Sequence, residues 1–246
     1  MSDLEKYKIK YKKELDLLDK YINNAHIYDV IIRYESDVDG KKIRLGSNIN
    51  VFEMVFLGKL IEQYKCNNIL EIGCANGVSG MVIVNQLCIN GGGKLISIDP
   101  FQTSQWYNAG KSNIKKIIDM FNTKKIVSEH MIIENYSSPE LKNFIQTSKF
   151  FDCVFIDGSH GFLDVVIDIF CGIKILKKNG ILVLDDVLHE GVKLVVDELV
   201  HYKNLKKIHL KEDSDGILSV VDSNYIYKTY EKSHLNPRTM YAYVKI

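Results

Sequence analysis

The sequence lacks a surplus of either charge: 32 Lys+Arg stand against 31 Asp+Glu over 246 residues. A sequence-independent grip on nucleic acid needs clustered positive charge, so no nucleic-acid partner is expected. The lysines between positions 6 and 13 are closely followed by acidic residues at helical spacing and read as a solvated face. No uninterrupted apolar run approaches the ~20 residues of a membrane helix, which excludes a spanning segment. Nor does an apolar stretch follow Met1-Ser2-Asp3-Leu4-Glu5-Lys6, as a signal peptide would require. The five cysteines (Cys66, Cys74, Cys88, Cys153, Cys171) show no CxxC pairing and no zinc-ligand spacing. Odd in number and mostly set in apolar runs, they read as buried free thiols of a reducing, cytoplasmic compartment. Internal repeats and low-complexity linkers are also missing.

What remains is a chain long enough for one sizeable α/β core, 46% hydrophobic. From about Asn67, short aliphatic runs alternate with amphipathic stretches. Strands are expected over Asn68–Ile72, Lys94–Asp99, Ile126–Ile133, Phe151–Asp157 and Gly180–Leu184, with closing strands at Lys207–Leu210 and Ile217–Val221. Helices are expected over Gly77–Leu87, Asn113–Phe121, Pro139–Thr147, Phe162–Leu176 and Val192–His201. Continuous aliphatic strands separated by helices indicate a parallel sheet covered on both faces. Three parts follow: a mainly helical N-terminal arm or lid over 1–64, a core over 65–222 and a C-terminal tail over 223–246. Leu4, Leu15, Leu18 and Ile22 mark one arm helix and Phe52–Leu60 another; Asp37-Val38-Asp39-Gly40 and Gly46-Ser47-Asn48 are loop signals.

The turn Glu71-Ile72-Gly73-Cys74-Ala75-Asn76-Gly77 ends a strand and opens a helix. Gly73 permits a sharp turn, and Gly77 permits close backbone approach to a ligand. The free N–H groups of the following helix suit an anion, and the Glu71 carboxylate suits an ammonium. The spacing is Gly-x-x-x-Gly, unlike the Gly-x-Gly-x-x-Gly of nicotinamide-dependent oxidoreductases. A purely structural tight turn is the plain alternative. Asp99 closes the next strand, where a carboxylate can accept two hydrogen bonds from a ribose diol or merely cap a loop.

These residues resemble the class I S-adenosylmethionine-dependent methyltransferases over roughly Phe52 to Val221. The resemblance implies a Rossmann-like, doubly wound, seven-stranded and mainly parallel sheet with helices on both faces and one antiparallel strand near its end. It also implies cofactor contacts at Glu71, Gly73, Cys74, Ala75, Gly77, Ser79, Asp99, Pro100, Tyr136 and Asp157, with adenine near Asn135-Tyr136-Ser137. Phe101, Gln102, Trp106 and Tyr107 follow the ribose-binding strand, where aromatics stack on adenine, wall an acceptor pocket or simply pack.

Asp157 ends one strand and Asp185-Asp186 the next. Ligands of doubly wound sheets bind outside the carboxyl ends of strands, so three carboxylates meet in the crevice. Such a set repels itself unless protonated or paired with cations. All-oxygen donors suit Mg²⁺, with Ca²⁺ or Mn²⁺ a looser fit; loop or helix capping is the alternative. Asp157-Gly158-Ser159-His160 and Leu184-Asp185-Asp186 resemble the metal loops of divalent-metal-dependent small-molecule O-methyltransferases. The Asp-Asp pair and the placement of His160 point to the sugar-methylating group rather than the catechol type. The resemblance implies metal ligands at Asp157, Asp185 and Asp186, with Asp157 also catalytic. His160 is then a base for the acceptor hydroxyl or a pocket residue, and His189 a second candidate base.

The expected protein is a Mg²⁺-assisted O-methyltransferase of a small-molecule hydroxyl, a sugar by preference. A metal-independent N- or O-methyltransferase and a non-catalytic S-adenosylmethionine-binding module stand as alternatives. Tyr225, Tyr227, Tyr230, Tyr241 and Tyr243 cluster around Pro237 and suit either a homo-oligomer surface or the outer sheet.

Overall fold

The computed structural model describes residues 9–199 apart from 10, 34, 45, 47, 124, 125 and 127, together with 204–212, 218–222 and 240–246. Along the chain come α1 (Lys12–Tyr21), α2 (Ala25–Arg33), β1 (Glu35–Val38), β2 (Lys41–Arg44), α3 (Val51–Gln63), β3 (Asn68–Ile72), α4 (Val78–Ile89) and β4 (Gly93–Ile98). There follow α5 (Ala109–Asn122), β5 (Ser128–Ile133), α6 (Ser137–Gln146), β6 (Phe151–Ile156), α7 (Phe162–Ile175) and β7 (Leu176–Leu184). Last are α8 (Glu190–Leu199), β8 (Leu205–Glu212), β9 (Leu218–Asp222) and β10 (Tyr241–Lys245).

The main sheet has the order β5-β4-β3-β6-β7-β10-β8-β9. From β5 to β7 the pairing is parallel, while β10 is antiparallel to both β7 and β8. This is the expected seven-stranded sheet with its antiparallel member; β9 adds an eighth strand at the edge, antiparallel to β8. Residues alternate faces along each strand with a period of two. Ile69, Leu95, Cys153 and Ile181 join one apolar cluster with α1 to α5, and Leu70, Ile96, Val154 and Leu182 join the other with α6, α7 and α8. Helices on both faces are why these strands read as unbroken aliphatic runs. No helix among the described residues is long and apolar enough to cross a membrane.

Two segments differ from the sequence reading. Residues 35–44 form a β-hairpin inside the arm expected to be helical, because Asp39 and Gly40 both take positive φ, as a two-residue hairpin turn requires. Within 223–246, expected as a tail, Tyr241–Lys245 enters the sheet between β7 and β8. Its burial on both faces hides the polar–apolar alternation that marks a half-exposed strand. Leu4, Ser47, Tyr225, Tyr227, Tyr230 and Pro237 lie outside the described residues.

The arm shares its core with the sheet's helices: Leu15, Leu18, Ile22, Ile27 and Val30 bury beside Leu57, Val82 and Met81. Buried amides fix it further, Asn24 Nδ2 donating to Asn85 Oδ1 at 2.8 Å and Asn85 Nδ2 to the Ile22 carbonyl at 2.9 Å.

Tyr243 is 2% exposed, and its hydroxyl has no hydrogen-bond partner. Tyr243→Phe is therefore expected to be at least as stable as the native protein, since it removes an unsatisfied buried group. Tyr243→Ala should lose roughly 3–5 kcal/mol through the cavity it leaves. Urea denaturation checks both; a marked loss for the Phe variant would contradict this account of the hydroxyl.

Candidate active site

A cavity of about 830 Å³ opens at the carboxyl ends of β3, β4, β6 and β7. The switch point of the sheet lies there, since the chain runs outward from β3 through β4 and β5 and from β6 through β7. Its floor includes Gly73, Ala75, Asp99, Pro100, Tyr136 and Asp157, all expected at the cofactor.

Glu71, Cys74, Gly77 and Ser79 were expected there too, but they do not line the cavity. Glu71 is fully buried beneath the turn, accepting hydrogen bonds from Ser79 Oγ at 2.6 Å and Ser97 Oγ at 2.5 Å. It therefore anchors α4 and β4 to β3 instead of facing the cavity. Ser97 Oγ also lies 3.0 Å from His130 Nε2, a contact whose direction depends on the tautomer of the ring. Burial lowers the His130 pKa to about 4 and keeps the ring neutral. Cys74 is buried, and burial pushes its thiol well above the ordinary range.

The two glycines of the turn serve different contacts. Gly73 has φ +86°, and a Cβ there would lie 1.9 Å from the Asp157 carbonyl oxygen. Gly77 has φ +76°, and its Cβ would meet Gly110 Cα at 2.7 Å. Gly77 thus admits the start of α5, where the sequence suggested a ligand. Asn76 and Asn113 complete the joint: Asn76 Nδ2 donates to the Gly46 carbonyl at 2.7 Å, and Asn113 Nδ2 to Ser36 Oγ at 2.6 Å.

Asp99 is 3% exposed and already heavily bonded. Its Oδ2 accepts from Cys74 N (3.1 Å), Ala75 N (2.7 Å) and Gln102 Nε2 (3.1 Å), and its Oδ1 accepts from Phe101 N (2.8 Å). A carboxylate has about four lone-pair sites, so only Oδ1 retains capacity, for one hydroxyl rather than a diol's two. Phe101 and Trp106 line the cavity; Gln102 is buried as a brace, and Tyr107 faces outward beneath Lys41 Nζ, 4.6 Å from the ring centre.

At the other end of the cavity Asp157, Asp185 and Asp186 share a wall with His160. Donor atoms of Asp157, His160 and Asp186 lie within 4.8 Å of one another. His160 Nε2 is 2.8 Å from Asp186 Oδ2, and the His160 and His189 rings lie 4.4 Å apart at 32°. Asp185 belongs to the wall but outside that closest group, and its Oδ1 accepts from the Asp186 amide at 2.8 Å. His189 does not line the cavity. Burial, then the charges of Asp185 and Asp186, hold the Asp157 carboxyl well above the usual carboxylate range.

The sequence reading missed Asn48, Asn50, Glu53, Asp164 and Asp168, which also line the cavity. Asn50 and Glu53 form a reciprocal cap at the start of α3, with Asn50 Oδ1 accepting from Glu53 N at 3.1 Å and Glu53 Oε2 from Asn50 N at 2.7 Å. That Asn-x-x-Glu spacing was a readable helix-start signal, though nothing in it points to a cavity. Asp168 had a clearer mark: it is a carboxylate on the apolar face of α7, between the buried Val165 and Ile169.

Residues 70–187 match the family profile described as "Methyltransferase domain". Over that stretch the chain is similar to methyltransferase domains, and the doubly wound sheet that holds it agrees. No curated protein matches it in sequence. Among solved structures it resembles the O-methyltransferase TomG from Streptomyces achromogenes, at 14% identity, TM-score 0.57, over 100% of this chain and 99% of the other. An O-methyltransferase from Bacillus cereus in complex with S-adenosylhomocysteine matches at 15% identity and TM-score 0.56, over 82% and 84% of the two chains. A putative caffeoyl-CoA O-methyltransferase from Staphylococcus aureus matches at 15% and 0.56, over 97% and 100%. At such identities the likeness concerns the fold.

Burial raises the Glu71 pKa from 4.5 to about 7, against the lowering by its two serine donors. The folded state thus holds this proton more tightly than the unfolded chain, and the resulting stability is full below about pH 4.5 and lost as pH rises to about 7. The loss is on the order of 3 kcal/mol. Glu71→Gln should flatten the stability profile between pH 5 and pH 8 by that order, measured by urea denaturation at each pH. Parallel profiles for the two proteins would remove Glu71 from the account.

Proposed function

We propose that this methyltransferase transfers a methyl group from S-adenosylmethionine to a hydroxyl of a small, uncharged acceptor, a sugar by preference, with a divalent cation assisting. The convergence of Asp157, His160 and Asp186 at one end of the cavity carries this reading. The same cavity reaches the glycine turn and Asp99, which suit the methionine and ribose parts of the cofactor.

Charge supports the choice of acceptor. Glu53, Asp99, Asp157, Asp164, Asp168, Asp185 and Asp186 line the cavity, and no lysine or arginine does so among the described residues. The field favours the cofactor's sulfonium and a cation, and it opposes an acceptor bearing phosphate or carboxylate. A polyol fits this better than an acyl-CoA thioester, the substrate class in the name of the Staphylococcus aureus neighbour.

The donor set fits a dication. Two carboxylates and an imidazole lie close enough to share one ion, and burial, with the charges of Asp185 and Asp186, holds Asp157 toward its neutral form. Asp157 and Asp186 would hold the ion with Asp185 on the same wall; the set accommodates Mg²⁺ and, through the imidazole, Mn²⁺. When bound, the ion would act as a Lewis acid that makes the acceptor hydroxyl easier to ionise.

The remaining chemistry belongs to the chain. With His160 Nε2 held by Asp186, Nδ1 is the ring nitrogen left to take the hydroxyl proton. Asp186 then stabilises the imidazolium, while the acceptor oxygen bonds the methyl carbon and the carbon–sulfur bond breaks. Alignment and exclusion of water by the cavity walls supply much of the acceleration. The compact Asp157–His160–Asp186 group favours a second reading in which His160 is itself a cation ligand.

Chelation by EDTA should abolish turnover, and Mg²⁺ or Mn²⁺ should restore it; Asp157→Ala should lose at least ~100-fold in kcat. Full activity in that variant, together with indifference to EDTA, would overturn the metal-assisted reading in favour of methyl transfer by proximity alone. His160→Gln separates the two roles of the imidazole. A base variant loses kcat with cation affinity intact, whereas a ligand variant loses both, as Mn²⁺ titration of each protein would reveal.

A further inference from the structure

The two ends of the cavity have different chemistry. One end, beyond β6 and β7, holds the Asp157–His160–Asp186 group where the acceptor is methylated on the reading above. The cofactor's base must then extend the other way, past Asp99 at the end of β4 toward the loop after β5. There the cavity is walled by Ile98, Phe101, Tyr136 and Ile167, with Phe101 and Tyr136 edge to face at a centroid distance of 6.2 Å. Apolar and aromatic walls suit the faces of a planar heterocycle.

A heterocycle's edge needs polar partners as well. Asn135, in the loop where adenine contacts were expected, is already committed: its Nδ2 donates to Glu140 Oε1 at 2.8 Å, and its Oδ1 accepts from Tyr136 N at 2.8 Å. Glu134 accepts from both the amide and the hydroxyl of Thr103. Asp168 on α7 differs from both. It lines the cavity, is 2% exposed, and its Oδ1 accepts no hydrogen bond. A Cβ placed on Gly158 would lie 3.7 Å from its other oxygen, and Ser137 bonds the carboxylate from the start of α6. Asp168 therefore sits where the loops after β5 and β6 meet the wall of the cavity. A buried acceptor oxygen without a donor is costly, and native folds rarely keep one that nothing satisfies.

We propose that Asp168 is the nucleobase-reading residue, its Oδ1 accepting a hydrogen bond from the exocyclic 6-amino group of adenine. The assignment rests on the cofactor reading and adds to it a residue from α7. A base with a carbonyl at that position, such as hypoxanthine, brings an acceptor against a carboxylate and is rejected. Burial, with Asp164 nearby, raises the Asp168 pKa to about 6, so the group is mainly ionised and accepting at neutral pH.

The test is calorimetric titration of the full chain with S-adenosylhomocysteine and with S-inosylhomocysteine, its hypoxanthine counterpart. The native protein should prefer the adenine compound by ~10–100-fold, the worth of a hydrogen bond to a charged group. Asp168→Ala should bring the two affinities to within a few-fold of each other. Asp168→Asn, nearly isosteric, should narrow or reverse the preference, because its amide can donate to the hypoxanthine carbonyl. The ratio within each protein is read, so a general loss of stability cancels. An unchanged preference in both variants, or none in the native protein, would overturn the assignment. Failure of the native chain to bind either compound would instead overturn the cofactor reading, and this inference with it.

Discussion

The site depends on how closely β3 and β6 approach at their carboxyl ends. Gly73 lies so near the Asp157 carbonyl that a Cβ would stand 1.9 Å from that oxygen. Hydrogen bonds from Asp157 N to the Ile72 carbonyl (2.8 Å) and from Asp185 N to the Ile156 carbonyl (3.0 Å) continue the pairing beyond the strand ends. The glycine turn, Asp157 and the Asp185-Asp186 pair are thus set by one run of backbone. Any side chain at Gly73 would separate the two halves of the site before altering the chemistry of either. Glu71 secures the approach from below, since both of its oxygens bond to serines of the neighbouring α4 and β4.

Electrostatics imposes a second constraint. Seven carboxylates around one cavity, with no described lysine or arginine lining it, raise the energy of the ligand-free state. Part of that cost is met locally, as Asp99 takes two donors from the glycine turn and two from Phe101 and Gln102, and Asp164 accepts from Ser159 Oγ at 2.7 Å. Asp157 is raised instead, first by burial and then by the charges of Asp185 and Asp186. Carboxylates satisfied by the protein fix the shape of the site, and those left unsatisfied define what its ligands must supply. On the reading proposed above, that is positive charge at one end and a hydrogen-bond donor at the other.

Much of this was legible in the sequence because buried parallel strands leave no ambiguity of face: Ile69–Ile72, Leu95–Ile98 and Val154–Ile156 had to be covered on both sides. Asp99, Asp157, Asp185 and Asp186 were legible for a related reason, as polar residues that end aliphatic runs. The ligand-facing role given to Glu71 failed because alternation places it with Ile69, on the face that α4 covers, rather than at the strand's open end. Gly77 was misread because the close approach it permits is to Gly110, 33 residues later, and no local pattern records that contact. The β1–β2 hairpin and β10 were missed on similar grounds. Four-residue strands carry too little periodicity, and Tyr241–Lys245 gains its meaning only from β7 and β8 on either side.

The N-terminal arm shows how far the cavity extends beyond the strand ends of the sheet. Glu53 lies on α3, outside residues 70–187, yet its charge reaches Asp157 and its side chain lines the cavity. It is held there by the Asn50 cap, so a residue pair that starts a helix also places a carboxylate in the pocket. Asn76 and Asn113 bond the arm back to the glycine turn and α5, which couples the wall above the acceptor end to the floor beneath it. On the proposed reading the sheet supplies the cofactor platform, and the arm covers the acceptor. In this chain the cover is acidic and amide-rich, contributing Asn48, Asn50 and Glu53 without one described cation. The arm's contribution therefore argues, independently of the strand-end carboxylates, for an acceptor recognised through hydroxyl groups rather than through negative charge.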